Sequence, residues 1–302
     1  MDAQELKNQF KYRDRTLRVI SKDGFFRVAL VKNSVAARVA QEKHKLDYLP
    51  AFLLARTLSA ASLISTFLKG EERVSVDAEG SGPISRVYAE AMHIGETRGF
   101  VRFAPDAENL TLTKLKDALG TGLFRVSRIL YNRSEPIQGI VPLVTGDIST
   151  DLARYFVQSE QIPSSVVLDV SFDNDGLIEH SGGLIAQAMP GHSGQSLIEL
   201  YAKLSDMGDM TEYFRKNMNL EEIAKAVLPF EFTTLTSSPL DFFCRCSKER
   251  FMEKLVTLGR EELEDMQRTA PAELVCQYCN SKYNIENEDF DKMITELKIK
   301  EN

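Results

Sequence analysis

The first part of the chain consists of short apolar runs separated by turn-forming residues. Apolar runs on both sides of an Asp-Gly pair cover residues 17–31 and 166–189. This arrangement predicts two β-hairpins, because an Asp-Gly pair readily forms the tight turn between antiparallel strands. Alternating or apolar runs predict further strands at 74–76, 87–91, 99–103, 123–130 and 137–143. We therefore expect mainly antiparallel sheets in this part of the chain.

Helices are predicted between these strands. Asn33 or Ser34 is expected to cap the first helix, because short polar side chains accept hydrogen bonds from free N–H groups at a helix start. The most apolar stretch, residues 46–68, contains Pro50 and Arg56 together with several Ser and Thr residues. These residues favour a helix buried in a protein core over a membrane span.

From about residue 191 the pattern changes to one of helices. A group of methionine and aromatic residues lies within it: Met207, Met210, Tyr213, Phe214 and Met218. The pattern favours an ordinary packed helical face. Flexible thioethers also allow an adaptable apolar surface that fits many shapes, so such a surface is the second interpretation of these five residues.

The last sixty or so residues form a third region. Ser247 is expected to cap a helix that ends at Gly259, and residues 274–283 are predicted to form a hairpin. Apolar residues at i, i+3, i+4 and i+7 from Phe290 predict a final helix. The predicted fold class is α+β, with an N-terminal antiparallel-sheet domain, a helical linker segment and a small zinc-binding domain. The predicted bounds are 1–180, 181–238 and 239–302.

Composition and charge narrow the possible functions. The chain has 302 residues, 43% of them hydrophobic, which is enough for a globular core. Its net charge is -7, and residues 241–302 carry 10 Lys and Arg against 14 Asp and Glu. Nucleic-acid binding is therefore not expected, because neutralising phosphates requires an excess of cations. The first residues contain no apolar segment of a secretory signal, so we expect a cytoplasmic protein with reduced cysteines.

The four cysteines of the chain are confined to the third region. Cys244 and Cys246 form a C-x-C pair, Cys276 and Cys279 form a C-x-x-C pair, and 29 residues separate the pairs. Two close thiolate pairs supply the four ligands of a tetrahedral Zn²⁺ site. We therefore predict one zinc ion per reduced chain. Four unrelated buried cysteines and a purely structural zinc site are the alternatives.

The sequence contains no evident catalytic motif. The four histidines are scattered without metalloprotease spacing, and the chain contains neither a P-loop nor a G-x-S-x-G motif. We therefore expect a protein that is not an enzyme. An enzyme whose site lies in the first domain, and a constitutive zinc-binding module for protein or RNA, remain the alternative classes.

Several longer motifs resemble those of a known family. They are GSGPISRVYAEA, GETRGFVRF, GIVPLVTGDISTDLARYFVQSEQIPS, GGLIAQAMPG, FFCRCSKERFMEKLVTLGREELEDM and ELVCQYCNSKY. In order and spacing they resemble the redox-regulated heat-shock holdase family of 33 kDa chaperonins, over nearly the whole chain. Tyr278 stands where another aromatic residue such as Phe is usual, which leaves the cysteines unaffected.

The resemblance implies a function and a redox chemistry. It implies a chaperone that binds unfolding proteins without ATP during oxidative stress, and a homodimer as the active form. It also implies zinc on Cys244, Cys246, Cys276 and Cys279 in the reduced chain, and Cys244–Cys246 and Cys276–Cys279 disulfides in the oxidised chain. Since a region of about sixty residues rarely holds itself together by its own core, we expect oxidation to unfold it first. The helical segment would then lose a packing partner and bind clients.

Overall fold

The computed structural model describes residues 13–105, 107, 115–131, 133 and 135–301, with side chains through residue 297. The chain divides into two compact units, Met1–Phe243 and Cys244–Asn302. Each unit has its own hydrophobic core, and the two are described separately below.

Two antiparallel sheets form the framework of the first unit. The five-stranded sheet has the order β10-β1-β2-β9-β8. Its strands are β1 (Arg15–Ser21), β2 (Phe26–Lys32), β8 (Ser164–Phe172), β9 (Ile178–Ala188) and β10 (Phe232–Pro239). Both predicted hairpins are confirmed, since β1 pairs with β2 and β8 pairs with β9.

The second sheet has six strands in the order β11-β5-β4-β3-β6-β7. They are β3 (Arg73–Gly80), β4 (Ile84–Met92), β5 (Glu96–Phe103), β6 (Gly122–Ile129), β7 (Ile137–Leu143) and β11 (Asp241–Phe242). The two-residue strand β11 runs parallel to β5, and the other pairs are antiparallel. The apolar residues at alternate positions of β3 and β4 are buried, so one face of this sheet contributes to the core.

Helix α2 fills the interior of the first unit. The helices that pack around the main core are α1 (Ser34–His44), α2 (Tyr48–Ser65), α3 (Leu115–Leu119) and α4 (Ile148–Gln158). Among the described residues, α2 is the one helix that is long and apolar enough to cross a membrane, and 78% of its residues are buried inside the protein. The prediction of a buried helix is therefore confirmed, because α2 contacts both sheets.

The start of α1 is capped from a distant part of the chain. Asn33 occupies the cap position, but its side chain makes no capping hydrogen bond. The carboxylate of Asp14 instead accepts a hydrogen bond from the N–H of Ala36 at 2.8 Å. The prediction that Asn33 or Ser34 caps this helix was wrong, because the Asn33 amide oxygen already accepts a hydrogen bond from the Ser59 hydroxyl at 2.9 Å.

A layer of three short helices covers the other face of the five-stranded sheet. It consists of α5 (Gly194–Ser205), α6 (Met210–Arg215) and α7 (Leu220–Val227), and we call it the helical layer. Its apolar residues pack on Leu17, Phe26 and Leu184 of the sheet to form a second core. Asn219 begins α7 with a complete capping box, in which its side chain accepts from Glu222 N–H and the Glu222 carboxylate accepts from Asn219 N–H.

The second unit is small and mixed. It contains α8 (Lys248–Leu255), a 3₁₀ turn (Val256–Leu258), α9 (Arg260–Arg268), the hairpin of β12 (Ala272–Val275) and β13 (Lys282–Ile285), and α10 (Asn287–Glu301). Gly259 ends the first helical stretch with φ of +94°, a left-handed conformation that favours glycine. The elements predicted for this region are present.

The α+β fold class is confirmed, but the predicted divisions fall at different places in the structure. Residue 180 lies inside β9, and residue 238 lies inside β10. The segment 181–238 is therefore part of the first unit, sharing one sheet with residues 15–32. Independent folding of residues 1–180 remains a prediction. Strand β10, which pairs with β1, was not predicted because its residues are mostly exposed Thr and Ser.

Candidate metal centre

Two local structures present the four cysteine side chains. Cys244 and Cys246 lie just before α8, whose N-terminus is capped by the Ser247 hydroxyl, which accepts a hydrogen bond from Arg250 N–H at 3.3 Å. Cys276 and Cys279 lie in the turn between β12 and β13. The Cys276 carbonyl accepts a hydrogen bond from the N–H of Asn280 at 2.8 Å, so the turn is tight.

The four sulfurs form a compact cluster. All four Sγ atoms lie within 4.8 Å of one another. Sγ of Cys244 is 3.7 Å from Sγ of Cys276, and Sγ of Cys246 is 3.3 Å from Sγ of Cys279. Four thiolates at about 2.3 Å from a central Zn²⁺ would be about 3.8 Å apart. The distances and the donor type therefore fit a tetrahedral site for a soft divalent ion.

The four thiols differ in burial and acidity. Cys276 and Cys279 are buried, and Cys244 and Cys246 are half-buried. Burial raises the pKa of Cys246 to about 12 and also raises the pKa of Cys276. Burial acts in the same direction on Cys279, but hydrogen bonds with Ser281, Cys246 and Cys276 together outweigh it and lower its pKa to about 7. Metal binding would favour the thiolate at all four positions.

The nearby cations are engaged in other interactions. Lys248 forms an ion pair with Asp289 at 2.5 Å, and Lys282 forms one with Glu273 at 2.8 Å. The guanidinium of Arg250 donates to the backbone carbonyl of Arg245 at 2.6 Å. These contacts stabilise the unit around the cluster. The charges of Lys248 and Lys282 are thus balanced by carboxylates rather than by thiolates.

The apolar core of this second unit is limited. In the part of it whose side chains the structure describes, five apolar side chains are buried, namely Leu263, Ile285, Phe290, Met293 and Ile294. In the first unit, the two cores contain several times as many buried apolar residues. The sulfur cluster joins the segment before α8 to the β12–β13 turn. A metal held there would connect parts of the unit that a small core holds weakly.

Comparison with known proteins identifies the family. The family model described as Hsp33 protein matches residues 14–286, which cover most of both units. The chain belongs to the Hsp33 family. The proteins named 33 kDa chaperonin from Streptococcus thermophilus and Bacillus subtilis are similar to it. The first is 31% identical over 94% of this chain and 100% of its own length, and the second is 32% identical over 92% and 97%.

The solved structures agree with this assignment. The crystal structure of a 33 kDa chaperonin, described as a heat shock protein 33 homolog, from Thermotoga maritima superposes with a TM-score of 0.85. It is 28% identical in sequence, and the match covers 95% of this chain and 99% of that one. The resemblance found in the sequence motifs is thereby confirmed. Membership of the Hsp33 family supports a chaperone function for the chain.

The five residues considered for client binding are buried or partly buried in this Hsp33 chain. Met210 and Phe214 are fully buried in the second core of the first unit, and Met207, Tyr213 and Met218 are partly buried against it. The expected packing partner was the cysteine-bearing region. Within the first unit, the helical layer packs on the five-stranded sheet, in a cluster built from residues 17–232. Their role in client binding remains a proposal.

Sequence analysis missed two residues that contact the sulfurs. The hydroxyl of Tyr283 lies 3.2 Å from Sγ of Cys246, and the hydroxyl of Ser281 lies 3.2 Å from Sγ of Cys279. Both follow the C-x-x-C pair within four residues. The contact of Ser281 with Cys279 could have been predicted, because the two residues are close in sequence. The contact of Tyr283 with Cys246 depends on how the two cysteine pairs come together.

Proposed function

We propose that this Hsp33 chain is a redox-regulated holdase that binds unfolding proteins without ATP. The observation that carries the proposal is the cluster of four cysteine sulfurs within 4.8 Å, in a unit whose described residues form only a small apolar core. A thiolate cluster is sensitive to oxidants. A unit that depends on such a cluster would change its structure when the sulfurs are oxidised.

In the reduced chain, Cys244, Cys246, Cys276 and Cys279 would together hold one Zn²⁺. When bound, zinc supplies a stabilising cross-link and keeps the four sulfurs deprotonated. The chain's own contribution is to bring the two pairs together. The cap of α8 by Ser247 orients the first pair, and the tight turn between β12 and β13 orients the second.

Oxidation changes the bonding of the sulfurs. Each pair of thiolates loses two electrons to one hydrogen peroxide molecule, which takes up two protons from solvent, and this yields one S–S bond and two water molecules. Four cysteines thus consume two peroxides and form two disulfides. A disulfide sulfur is a poor zinc ligand, so the metal-binding set is lost as the disulfides form.

We propose that the pairs are Cys244–Cys246 and Cys276–Cys279. All sulfurs lie within 4.8 Å of one another in the folded unit, so distance alone does not select a pairing. Once the unit loosens, partners that are close in sequence meet most often, because closing a short loop costs the least entropy. The small C-x-C ring is expected to be strained and easily reduced, which suits a reversible sensor.

Client binding would use apolar surface that is hidden in the reduced chain. The helical layer is the proposed source, because it contains Met207, Met210, Tyr213, Phe214 and Met218. Its three helices are short, and Gly208 and Asn217 in left-handed conformations separate them. Short helices depend on tertiary packing for stability, so this layer could separate from the sheet at moderate cost.

The proposal includes partners and location. The clients are unfolded or partly folded proteins, which expose the apolar surface that a Met-rich face can cover. A homodimer is the proposed active form, and the cytoplasm, where thiols are kept reduced, is the proposed location. The acidic second unit gives no support to a role in RNA binding.

Aggregation of a heat-unfolded client protein, with zinc release followed in the same sample, tests the proposal. The reduced, zinc-loaded chain should suppress aggregation weakly. Addition of peroxide should release one zinc per chain, form two disulfides and increase suppression, and dithiothreitol should reverse these changes. Full activity in the reduced chain, with no gain on oxidation, would instead identify a constitutive zinc-binding interaction module.

A variant with all four cysteines changed to serine provides the matched control. It cannot hold the metal or form disulfides, so it should be partly active without oxidant and should not respond to peroxide. A variant of this kind that stays fully folded and inactive would contradict the proposal.

A further inference from the structure

Tyr283 makes an unusual pair of contacts with one cysteine. Its hydroxyl donates a hydrogen bond to the backbone carbonyl of Cys246 at 3.1 Å and lies 3.2 Å from Sγ of the same residue. A tyrosine hydroxyl has a single proton to donate. It can therefore donate to the carbonyl or to the sulfur of Cys246, and the choice depends on the state of that sulfur.

The state of the sulfur decides the direction of the hydrogen bond. A thiol at Cys246 can donate its own proton to the tyrosine oxygen, which leaves the tyrosine proton for the carbonyl. A thiolate, as in a metal-bound cysteine, has no proton and accepts only. Turning the Tyr283 O–H from the carbonyl to the sulfur then gives a charge-assisted hydrogen bond, which is stronger than a neutral one.

The ring of Tyr283 is held in place independently of the sulfur. Tyr283 is paired with Leu274 across the β12–β13 hairpin, and its ring packs against Phe251 of α8 at 5.4 Å between centroids. The β12–β13 hairpin and α8 thus position the hydroxyl together. Replacement by phenylalanine would remove the hydroxyl and keep the pairing and the ring contact.

We propose that Tyr283 is a positioning residue that holds the Cys246 thiolate in the metal-binding cluster and restrains its reaction with electrophiles. The proposal rests on the proposed role of Cys246 as a metal ligand. A hydrogen bond to a thiolate withdraws electron density from the sulfur, so the sulfur attacks electrophiles more slowly. Ser281 has the corresponding contact with Cys279, at 3.2 Å, and so provides a matched comparison within the same site.

The expected effects follow from known trends. Removing a group that hydrogen-bonds a metal ligand lowers metal affinity by about 10-fold or more. A tenfold change in thiolate basicity changes its nucleophilicity by about threefold. We therefore expect Tyr283→Phe to weaken Co²⁺ binding about 10-fold. The metal-loaded variant should also react with iodoacetamide about threefold faster at Cys246, where the sulfur displaces iodide and forms a thioether.

The experiment compares Tyr283→Phe with Ser281→Ala in the full chain. Cobalt titration gives the affinity and the energy of the sulfur-to-cobalt charge-transfer band, and mass spectrometry of alkylated peptides gives the rate at each cysteine. Tyr283→Phe should shift the band and accelerate Cys246 selectively, and Ser281→Ala should accelerate Cys279 selectively. Equal acceleration of all four cysteines in Tyr283→Phe would indicate simple loosening and would overturn the proposal, as would an unchanged rate at Cys246.

A second replacement covers the case in which Tyr283→Phe does not fold. Incorporation of 3-fluorotyrosine at position 283 nearly keeps the shape of the ring and makes the hydroxyl a stronger donor that is still protonated at neutral pH, so Cys246 should then be alkylated more slowly. Failure of the proposed metal site has a different signature. In that case Cys246 of the unaltered chain would react at the same rate with and without one equivalent of metal.

Discussion

Removing the metal from the full chain should unfold the second unit and leave the first unit folded. Among the described residues of the second unit, five apolar side chains are buried. Burial of each contributes about 1.5–3 kcal/mol, so the five together contribute about 8–15 kcal/mol before the cost of ordering the chain. Structural zinc contributes about 10–16 kcal/mol in small modules. The metal therefore contributes about as much as the whole apolar core of the unit.

Losing a contribution of that size is decisive for a small domain. The net stability of a whole domain is about 5–15 kcal/mol. Loss of the zinc contribution is therefore large enough to unfold the second unit. The first unit contains none of the four cysteines and has two apolar cores of its own. We therefore expect two separate responses to a zinc chelator, with unfolding confined to residues 244–302.

Hydrogen exchange of the reduced chain, with and without chelator, measures this directly. Amides of α9, α10 and the β12–β13 hairpin should lose protection, and amides of β1–β9 should keep it. Ser247→Ala is the matched control, because it removes one helix cap at a cost of about 1 kcal/mol and leaves all four sulfurs. With metal present, this variant should stay folded. Full protection of α10 in the metal-free chain would refute the reasoning.

Three further predictions concern the first unit. Burial raises the pKa of Asp14 to about 7, so its favourable contribution is complete below its unfolded pKa of about 3.9 and is lost as the pH rises through 7. As the pH rises from 5 to 8, the free energy of unfolding should therefore fall by about 3 kcal/mol more in the unaltered chain than in Asp14→Asn. Urea unfolding at the two pH values measures this difference. Phe214→Ala should cost about 3–5 kcal/mol, measured in the same way, because it leaves a cavity under the helical layer. Asn219→Ala should cost about 1 kcal/mol through loss of its hydrogen bond from Glu222 N–H, seen as faster exchange in α7.

The sequence was most informative where structure depends on neighbouring residues. Both hairpins with Asp-Gly turns, the buried helix α2 and the final helix were predictable from local patterns. The proximity of the four cysteines was also predictable, because paired thiols in one region have few other uses in a reducing compartment. These features require no knowledge of how distant segments meet.

Features that depend on distant contacts could not be predicted. Strand β10 is an edge strand whose side chains are mostly exposed, so it has no apolar pattern, and only its pairing with β1 makes it a strand. The cap of α1 by Asp14 depends on a buried carboxylate that precedes the helix by twenty residues. The contact between Tyr283 and Cys246 likewise arises only after the β12–β13 hairpin meets the segment before α8.

In the proposed function, oxidation has to release the helical layer from the five-stranded sheet. Met210 and Phe214 are buried on the five-stranded sheet, in a cluster whose described members all belong to the first unit. Unfolding of the second unit alone therefore removes no member of that cluster. For these two side chains to meet a client, α6 must leave the sheet and break the hydrogen bond from Met210 N–H to the Asp169 carboxylate, 2.8 Å long.

The covalent path from the cysteines to this layer runs through β11 and β10. Strand β10 is an edge strand that pairs with β1 alone, and Cys244 follows it after four residues. Release of this strand would free the C-terminal end of the helical layer. Amide hydrogen exchange should therefore accelerate in β10 no later than in α6. Continued protection of α6 in an oxidised chain that holds a client would mean that clients bind elsewhere. The side chains of Phe290 and Met293, freed by unfolding of the second unit, would then be the first alternative to test.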